Sequence, residues 1–329
     1  MTAPKLKISV VTPTFMRPVE ILGLLDNLAR QAFLPFEVII VDGAPSEELK
    51  TEKAVQNSID ELPFKVRYLR QTGGTAVQRN TGINMANGDF IALIDDDVRL
   101  EEYFFKEIID VFNSDNDKKA GGIVGYRSNG HFDLETSARW KWYKRLKLLT
   151  TFEPGHYDYN CGYPINNYLQ PPFKGVRRVD FMTTACAVWR REVFAGGLRF
   201  HSFFRDYGVL EDAHFSLRAG REWELLQCGD ALCEELNSPN GRENRRKIGY
   251  KCVVNYYFVF QDIGQPLTRT QKFRFWRYQS FEFLRIAASA VRRRRIADFQ
   301  EIAGRIEGVF AVLGGAARSR NWHQKRLTQ

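Results

Sequence analysis

Apolar positions along this chain follow two rhythms that take turns. Residues 7–14, KISVVTPT, form a β-branched run ending at Pro13, and within 17–31 Ile21, Leu24, Leu25 and Leu28 recur at helical spacing, so a strand is followed by a helix. The pair repeats: 36–43, FEVIIVDG, reads as a strand and 46–59 as a helix, with Ser46 in position to cap it. A third strand is expected over 64–70, a helix over 75–86 after the Gly73-Gly74 break, and a fourth strand over 89–94. A helix over 101–112 and a strand over 121–126 continue the pattern. Strands separated by helices of this length predict βαβ units, and nearly continuous apolar strands are what burial on both faces demands. The expected class is α/β, with a Rossmann-like, mostly parallel sheet flanked by helices.

The rhythm fails over 127–175, which is rich in aromatics, Gly, Pro and Asn and reads as an insertion or lid, with one amphipathic stretch at 138–149. Residues 177–194 return to strand then helix, 211–220 to a short helix closed by Gly220, and 222–236 to two short strands around Gly229-Asp230. Beyond 240 the pattern is helical, most clearly over 272–295. This divides the chain into an α/β domain over 1–240 and a helical extension over 241–329.

Composition narrows the picture. The 329 residues are 44% hydrophobic and 26% charged, enough to bury a core, and no uncharged apolar run reaches the roughly 18 residues that would cross a bilayer. The N-terminus passes from a short polar lead straight into a strand, so the expectation is a cytosolic protein without a signal peptide. Five scattered cysteines lack the C-x-x-C pairs of zinc or redox sites. The net charge of +9 is a property of one end: from residue 268 onward 14 Lys or Arg stand against 4 Asp or Glu. There Phe273, Phe275, Trp276, Phe281, Phe283 and Leu284 lie among arginines, a basic amphipathic pattern suited to an anionic membrane surface. Without a recognisable nucleic-acid motif, no nucleic-acid partner is expected.

In open α/β sheets, ligands sit outside the carboxyl ends of the strands. Pro13-Thr14 ends the first strand, Asp42-Gly43 the second, and Asp95-Asp96-Asp97 the fourth; Glu211-Asp212 opens a later helix. One Asp at such a place is often a helix cap, and an isolated Asp-Gly is often a turn. Three adjacent carboxylates repel one another unless a cation neutralises them, and hard divalent ions take one or two carboxylates together with phosphate oxygens.

The segments VVTPTFMRP, VIIVDGAP, AVQRNTGINMANGDFIALIDDDV and YGVLEDAHFSLRAG, in this order and spacing, resemble the family 2 glycosyltransferases, GT-A fold enzymes that move a sugar from a nucleoside diphosphate donor. The resemblance covers about residues 6 to 236 and implies a role for each motif. Asp95 and Asp97 would hold a divalent metal, Mg²⁺ or Mn²⁺, with Asp96 between them on the donor side. Asp42 would read the nucleobase, aided by Thr12, Pro13 and Thr14, and Arg79 would help place the donor. Asp212 would be the general base of an inverting reaction and Glu211 would orient it or the acceptor. Asn80 and Gly82 shape helix packing, while Thr183, Thr184 and Ala185 flank the acceptor. Many relatives complete the metal site with a His after the strands that follow the Glu-Asp motif; here that stretch offers Glu234 or Glu235, of which Glu235 is the candidate ligand.

By the same resemblance, the donor is a nucleoside diphosphate sugar, with a UDP-sugar favoured. The acceptor is a saccharide or lipid-linked hydroxyl in bacterial cell-surface polysaccharide or glycolipid assembly, at the cytoplasmic side and peripheral to the inner face of the plasma membrane. Arg242, Arg245 and Arg246, in the loop 238–246, could close on a diphosphate, and Trp140, Trp142 and Tyr143 could stack on a sugar or simply fill a core. A sugar-phosphate nucleotidyltransferase is the rival enzyme, though TPTFMRPVE lacks the Gly-rich basic loop such enzymes carry after the first strand. A non-catalytic nucleotide-sugar-binding protein is the rival from another class.

Overall fold

The computed structural model describes residues 6–131, 137–206, 208–238, 243–264 and 266–317. In chain order its first elements are β1 (Ile8–Thr14), α1 (Pro18–Ala29), β2 (Glu37–Asp42), α2 (Lys50–Gln56), β3 (Lys65–Arg70), α3 (Thr75–Met85) and β4 (Phe90–Ile94). Then come β5 (Val98–Leu100), α4 (Phe104–Ser114), β6 (Ala120–Arg127), α5 (Ala138–Arg145) and the two-residue strands β7 (Tyr157–Asp158) and β8 (Tyr163–Pro164). The remainder is β9 (Val176–Arg178), β10 (Cys186–Arg190), α6 (Glu192–Ala195), α7 (Glu211–Ala219), β11 (Glu224–Glu235), α8 (Arg245–Ile263), α9 (Arg269–Arg293) and α10 (Ile296–Leu313). The chain divides into two compact units, Met1–Phe132 with Asn166–Gly241, and Asp133–Ile165 with Arg242–Gln329.

The first unit is built on a nine-stranded sheet in the order β3-β2-β1-β4-β10-β6-β11-β5, with β9 added beside β11. The pairings β3–β2, β2–β1 and β1–β4 are parallel, β10 runs antiparallel to both β4 and β6, and β6–β11 is parallel again, so the sheet is mixed. Every residue of β1, β2 and β4 is buried, the two-sided burial their apolar runs predict. β3 is the edge, half-buried and carrying Lys65, Arg67 and Arg70, charges that discourage edge-to-edge pairing. Helix α1 opens with Pro18 in its first turn and buries Ile21, Leu24, Leu25 and Leu28, one apolar stripe.

Three expectations need correction. The second helix starts at Lys50 rather than 46; the Ser46 hydroxyl donates to Glu47, and Glu48 accepts the Lys50 amide instead. The helix expected over 101–112 begins at Phe104, because the chain leaves β5 with the Glu101 amide still donating to the Leu232 carbonyl at 3.0 Å and turns before the helix starts. Residues 224–235 form one strand rather than two: Gly229-Asp230 is a bulge in its pairing with β6, not a turn. The segment 173–175 presses on it, since a Cβ at Gly229 would lie 2.3 Å from the Phe173 carbonyl oxygen and Asp230 accepts the Gly175 amide at 2.7 Å.

In the second unit Trp140 and Tyr143 are core and Trp142 is exposed. The Tyr143 hydroxyl donates to Glu282 at 2.7 Å, Arg139 reaches the same carboxylate at 3.0 Å and Arg285 at 2.9 Å. Burial works against the Glu282 charge, but the Arg285 hydrogen bond and the Arg139 charge outweigh it and hold the carboxyl below its usual range. Helix α9 starts on a capping box formed by Thr268 and Gln271. Helix α10 lies against α8 through glycines: a Cβ on Gly304 would stand 1.8 Å from the Arg246 carbonyl oxygen, and one on Gly249 would stand 2.2 Å from that of Glu301. All five cysteines are free.

Candidate functional site

The carboxyl ends of β1, β2 and β4 lie side by side, which brings Thr14, Asp42 and the Asp95-Asp96-Asp97 turn to one edge of the sheet. Gln78 of α3 stitches this edge, its amide donating to the Thr14 carbonyl at 2.8 Å and the Val41 carbonyl at 2.7 Å. Asp42 is fully buried; one oxygen accepts the Ala44 amide at 2.9 Å and the other the Tyr68 hydroxyl. Burial and that hydrogen bond to Asp42 both push the Tyr68 phenol up, so it remains a donor. Thr12 is buried at the centre of β1 and its hydroxyl has no hydrogen-bond partner.

The three aspartates point different ways. Asp96 turns inward, accepting from Thr14 at 2.8 Å and from Arg17 at 2.7 Å. Burial pushes its pKa up to about 6 against the opposing pull of Arg17. Asp97 accepts the Ser238 amide at 3.0 Å, and burial followed by the Asp95 charge raises its pKa. Asp95, one third exposed, accepts from Arg79 at 2.8 Å, and its amide donates to the Ala185 carbonyl at 3.2 Å.

Arg79 is buried and spans two motifs far apart in sequence. One guanidinium nitrogen donates to Asp95 and the other to Glu211 at 2.9 Å. Burial penalises its charge, yet Asp95 and Glu211 more than offset that and its pKa is raised. This excludes an ordinary helix-surface arginine. Its helix can reach so deep because Gly82 presses on β1, where a Cβ would meet Val11 at 2.3 Å, and Asn80 exchanges two hydrogen bonds with the Phe200 backbone, both 2.9 Å.

Glu211 also accepts the Thr75 hydroxyl at 3.2 Å, and Asp212 beside it is partly buried. Burial, then the neighbouring Glu211 charge, pushes the Asp212 pKa up to about 7, although the Ala213 amide donates to it at 2.7 Å. A carboxylate in that range can take a proton near neutral pH. His214, on the same helix, is fully buried against the Phe204 ring, a packing role.

Glu235 arrives by sheet pairing. It lies opposite Val98 in the β11–β5 ladder, one residue past Asp97, whereas Glu234 alternates away and is exposed. Burial raises the Glu235 pKa, Asp95 and Asp97 add to that, and Arg127 opposes it through an ion pair. The expected ligand set Asp95, Asp97 and Glu235 does not close as it stands: among the described residues no three His, Cys, Asp or Glu side chains are placed to hold one metal ion. Each of these acids instead takes a partner from the protein, Arg79, the Ser238 amide and Arg127. Asp95 and Asp97 still fit a divalent ion chemically, being hard oxygen donors whose mutual repulsion a cation relieves, with further positions left to phosphate oxygens.

Arg17, Gln78, Tyr68 and Arg127 escape sequence reasoning, since nothing in their local pattern marks them. Arg245 and Arg246, expected in a diphosphate loop, belong to α8 and pair with Glu301 and Glu307; Arg242 lies outside the described residues.

Comparison with known proteins bears on the family and the fold. The chain is 39% identical over 92 residues to the uncharacterized glycosyltransferase YwdF of Bacillus subtilis, covering 28% of this chain and 33% of that protein. It is 32% identical over 116 residues to the poly(ribitol-phosphate) beta-N-acetylglucosaminyltransferase TarS of Staphylococcus aureus, 33% of this chain and 20% of TarS. Such matches span a third or less of those relatives' length. The structure of TarS 1-349 with UDP-GlcNAc superposes with a TM-score of 0.51 at 14% identity, over 94% of this chain and 92% of that one. The mannosyltransferase PcManGT of Pyrobaculum calidifontis, in complex with GDP-Man and Mn2+, gives 0.54 at 13% identity, over 98% and 80%. These two likenesses speak for the fold, which is GT-A. The sequence model of Glycosyl transferase family 2 matches residues 9–195, more than half of the chain, and the protein therefore belongs to that family.

Proposed function

We propose that this enzyme transfers a sugar from a nucleoside diphosphate donor to an acceptor hydroxyl with inversion at the anomeric carbon. The observation that carries the reading is Arg79 joining Asp95 to Glu211, beside an Asp212 whose pKa is raised to about 7. Asp212 accepts the proton of the acceptor hydroxyl as that oxygen attacks the anomeric carbon and the nucleoside diphosphate departs. Glu211, held by Arg79 and Thr75, sets the start of α7 and so the place of Asp212. Asp42 and the backbone around Thr12, Pro13 and Thr14 form the nucleoside end, while Asp96, locked to Arg17 and Thr14, keeps the turn in shape. Asp95 and Asp97, with Glu235 near them, would hold a divalent ion, which when bound offsets charge on the departing diphosphate.

UDP-GlcNAc in the TarS complex favours a UDP-sugar, and Mn2+ in the PcManGT complex favours a divalent cofactor. The poly(ribitol-phosphate) transferase among the relatives supports a cell-surface saccharide or lipid-linked acceptor, met at the cytoplasmic face of a membrane. The test is a thermal-shift series of nucleoside diphosphates with and without Mn²⁺. A ligand at a hundred times its Kd stabilises by about 2.7 kcal/mol, so UDP with Mn²⁺ should raise the melting temperature. No response to any nucleoside diphosphate overturns the donor assignment.

A further inference from the structure

Helix α10 is packed inside out. The residues it buries are Gly304, Arg305 and Gly308, while Phe299, Phe310 and Leu313 stand on the opposite side and are exposed, Phe310 at 69%. Its inner face is small because the glycines let its backbone close on α8, and Arg305 is satisfied there by Glu301 and Gln279, both at 3.2 Å. Helix α9 has an ordinary apolar inner face that includes Ile286 and Ala290, but it too shows large apolar side chains outside. It buries Gln279 and Glu282 along with Phe275 and Tyr278, and it exposes Phe273, Leu284 and Val291, which fall on one face at spacings of 11 and 7 residues.

Single exposed apolar residues are ordinary, but apolar residues of two helices that gather around one groove mark a surface that meets something. The stripes flank a groove of about 420 Å³, lined by Trp276, Phe283 and Leu284 from one helix and Ile306, Val309 and Phe310 from the other. The end of α9 and the link to α10, Arg292–Arg295, carry four exposed arginines, and the residues either side of them, Val291 and Ile296, are themselves exposed. No described helix is long and apolar enough to cross a membrane; exposed apolar side chains beside clustered arginines are the pattern of a surface that lies on one.

We propose that the α9–α10 face is a docking surface for an anionic bilayer, with Phe273, Leu284, Val291, Phe299, Phe310 and Leu313 entering the acyl boundary and Arg292–Arg295 meeting lipid phosphates. Charge selects this occupant over a second copy of the chain. A second copy of the chain would present the same positive segment, net +10 from residue 268 onward, whereas anionic headgroups neutralise it. The inference deepens the membrane contact proposed above and is independent of sugar transfer.

The experiment is flotation of the full-length protein with vesicles of phosphatidylcholine alone or with about a third phosphatidylglycerol. Binding is expected only to the anionic vesicles. Replacing Arg292–Arg295 with Gln should weaken partitioning about a thousandfold, and added salt should weaken it in the wild type. Leu284→Glu with Phe310→Glu should abolish it; both side chains are exposed, so an unchanged melting temperature verifies the fold. No binding to anionic vesicles overturns the membrane contact altogether, while binding retained by the Leu284→Glu/Phe310→Glu variant overturns this face and leaves the contact. A lipid-free dimer that the same double variant dissociates overturns the proposal in favour of a second copy. The nucleoside diphosphate thermal shift, run on the same variants, reports separately on the donor site.

Discussion

The two compact units break the ordinary rules of burial in opposite ways. Around Arg79 the first unit gathers Asp95, Asp96, Asp97, Glu211, Asp212 and Glu235, buried or half-buried, against Arg17, Arg79, Arg99 and Arg127, more acid than base. In the second, Glu282 alone draws three donors, Tyr143, Arg139 and Arg285, and the departure from rule lies outside, where α9 and α10 show phenylalanine and leucine to solvent. Excess buried acid is a site for cations and proton transfer; excess exposed apolar surface is a site for an interface. On the reading proposed here, the acid cluster would serve chemistry and the exposed apolar area would serve contact.

The comparison can be broken most sharply at Asp212. If its raised pKa serves proton abstraction, Asp212→Asn should lower kcat by about 10²- to 10⁴-fold while nucleotide-induced thermal shifts persist. Full turnover in that variant, read by release of nucleoside diphosphate, would remove the catalytic half of the contrast. Next comes Arg79→Met, which strands Asp95 and Glu211 without their shared cation and should cost about 3–5 kcal/mol in urea unfolding. Adding Glu211→Gln to that variant should recover part of the loss, because the two positions share one ion pair.

The acidic cluster also predicts a pH signature. Asp212 has a folded pKa of about 7, above the usual carboxylate value, so its neutral form stabilises the fold at low pH and that contribution disappears as pH rises through 7. Asp212→Asn cannot ionise and should therefore melt higher than wild type at pH 8, with the difference vanishing near about pH 4. The rate should rise with pH through the same region, as the base form fills. The smallest effect belongs to the second unit: Gly304→Ala, which sets a methyl against the Arg246 carbonyl, should cost about 1–3 kcal/mol. A neutral result in urea unfolding would mean that α10 does not dock by its glycines and that its apolar face is not outermost.

How much of this was legible depended on how local the cause was. Ile21, Leu24, Leu25 and Leu28 announce α1 because a helix buries one stripe, and FIALI announces β4 because a central strand is buried on both faces. The motif residues Asp42, Asp95, Asp97, Glu211 and Asp212 were found through the resemblance of whole segments. Ser46 misled because a capping residue is recognised by type, whereas Glu48 met the orphan amide from a place that only the folded loop supplies. Gly229-Asp230 misled because a bulge and a turn use the same residues, and only the loop pressing on β11 distinguishes them. Glu234 and Glu235 were equivalent by composition and are separated by strand alternation against β5.

The sequence by itself determined the βαβ core, the acids at its strand ends and the basic, aromatic character of the chain from residue 268 onward, because each follows from periodicity, residue type or motif within a few residues. Tertiary structure decided which acid meets which base: Arg79 with Glu211 across 132 positions, Arg17 with Asp96 across 79, Arg127 with Glu235 across 108. It also decided which face of an amphipathic helix turns inward, and in α10 a close fit of glycines against the α8 backbone prevailed over burial of the larger side chains. Both outcomes rest on distances between segments remote in sequence, and no local pattern encodes those distances.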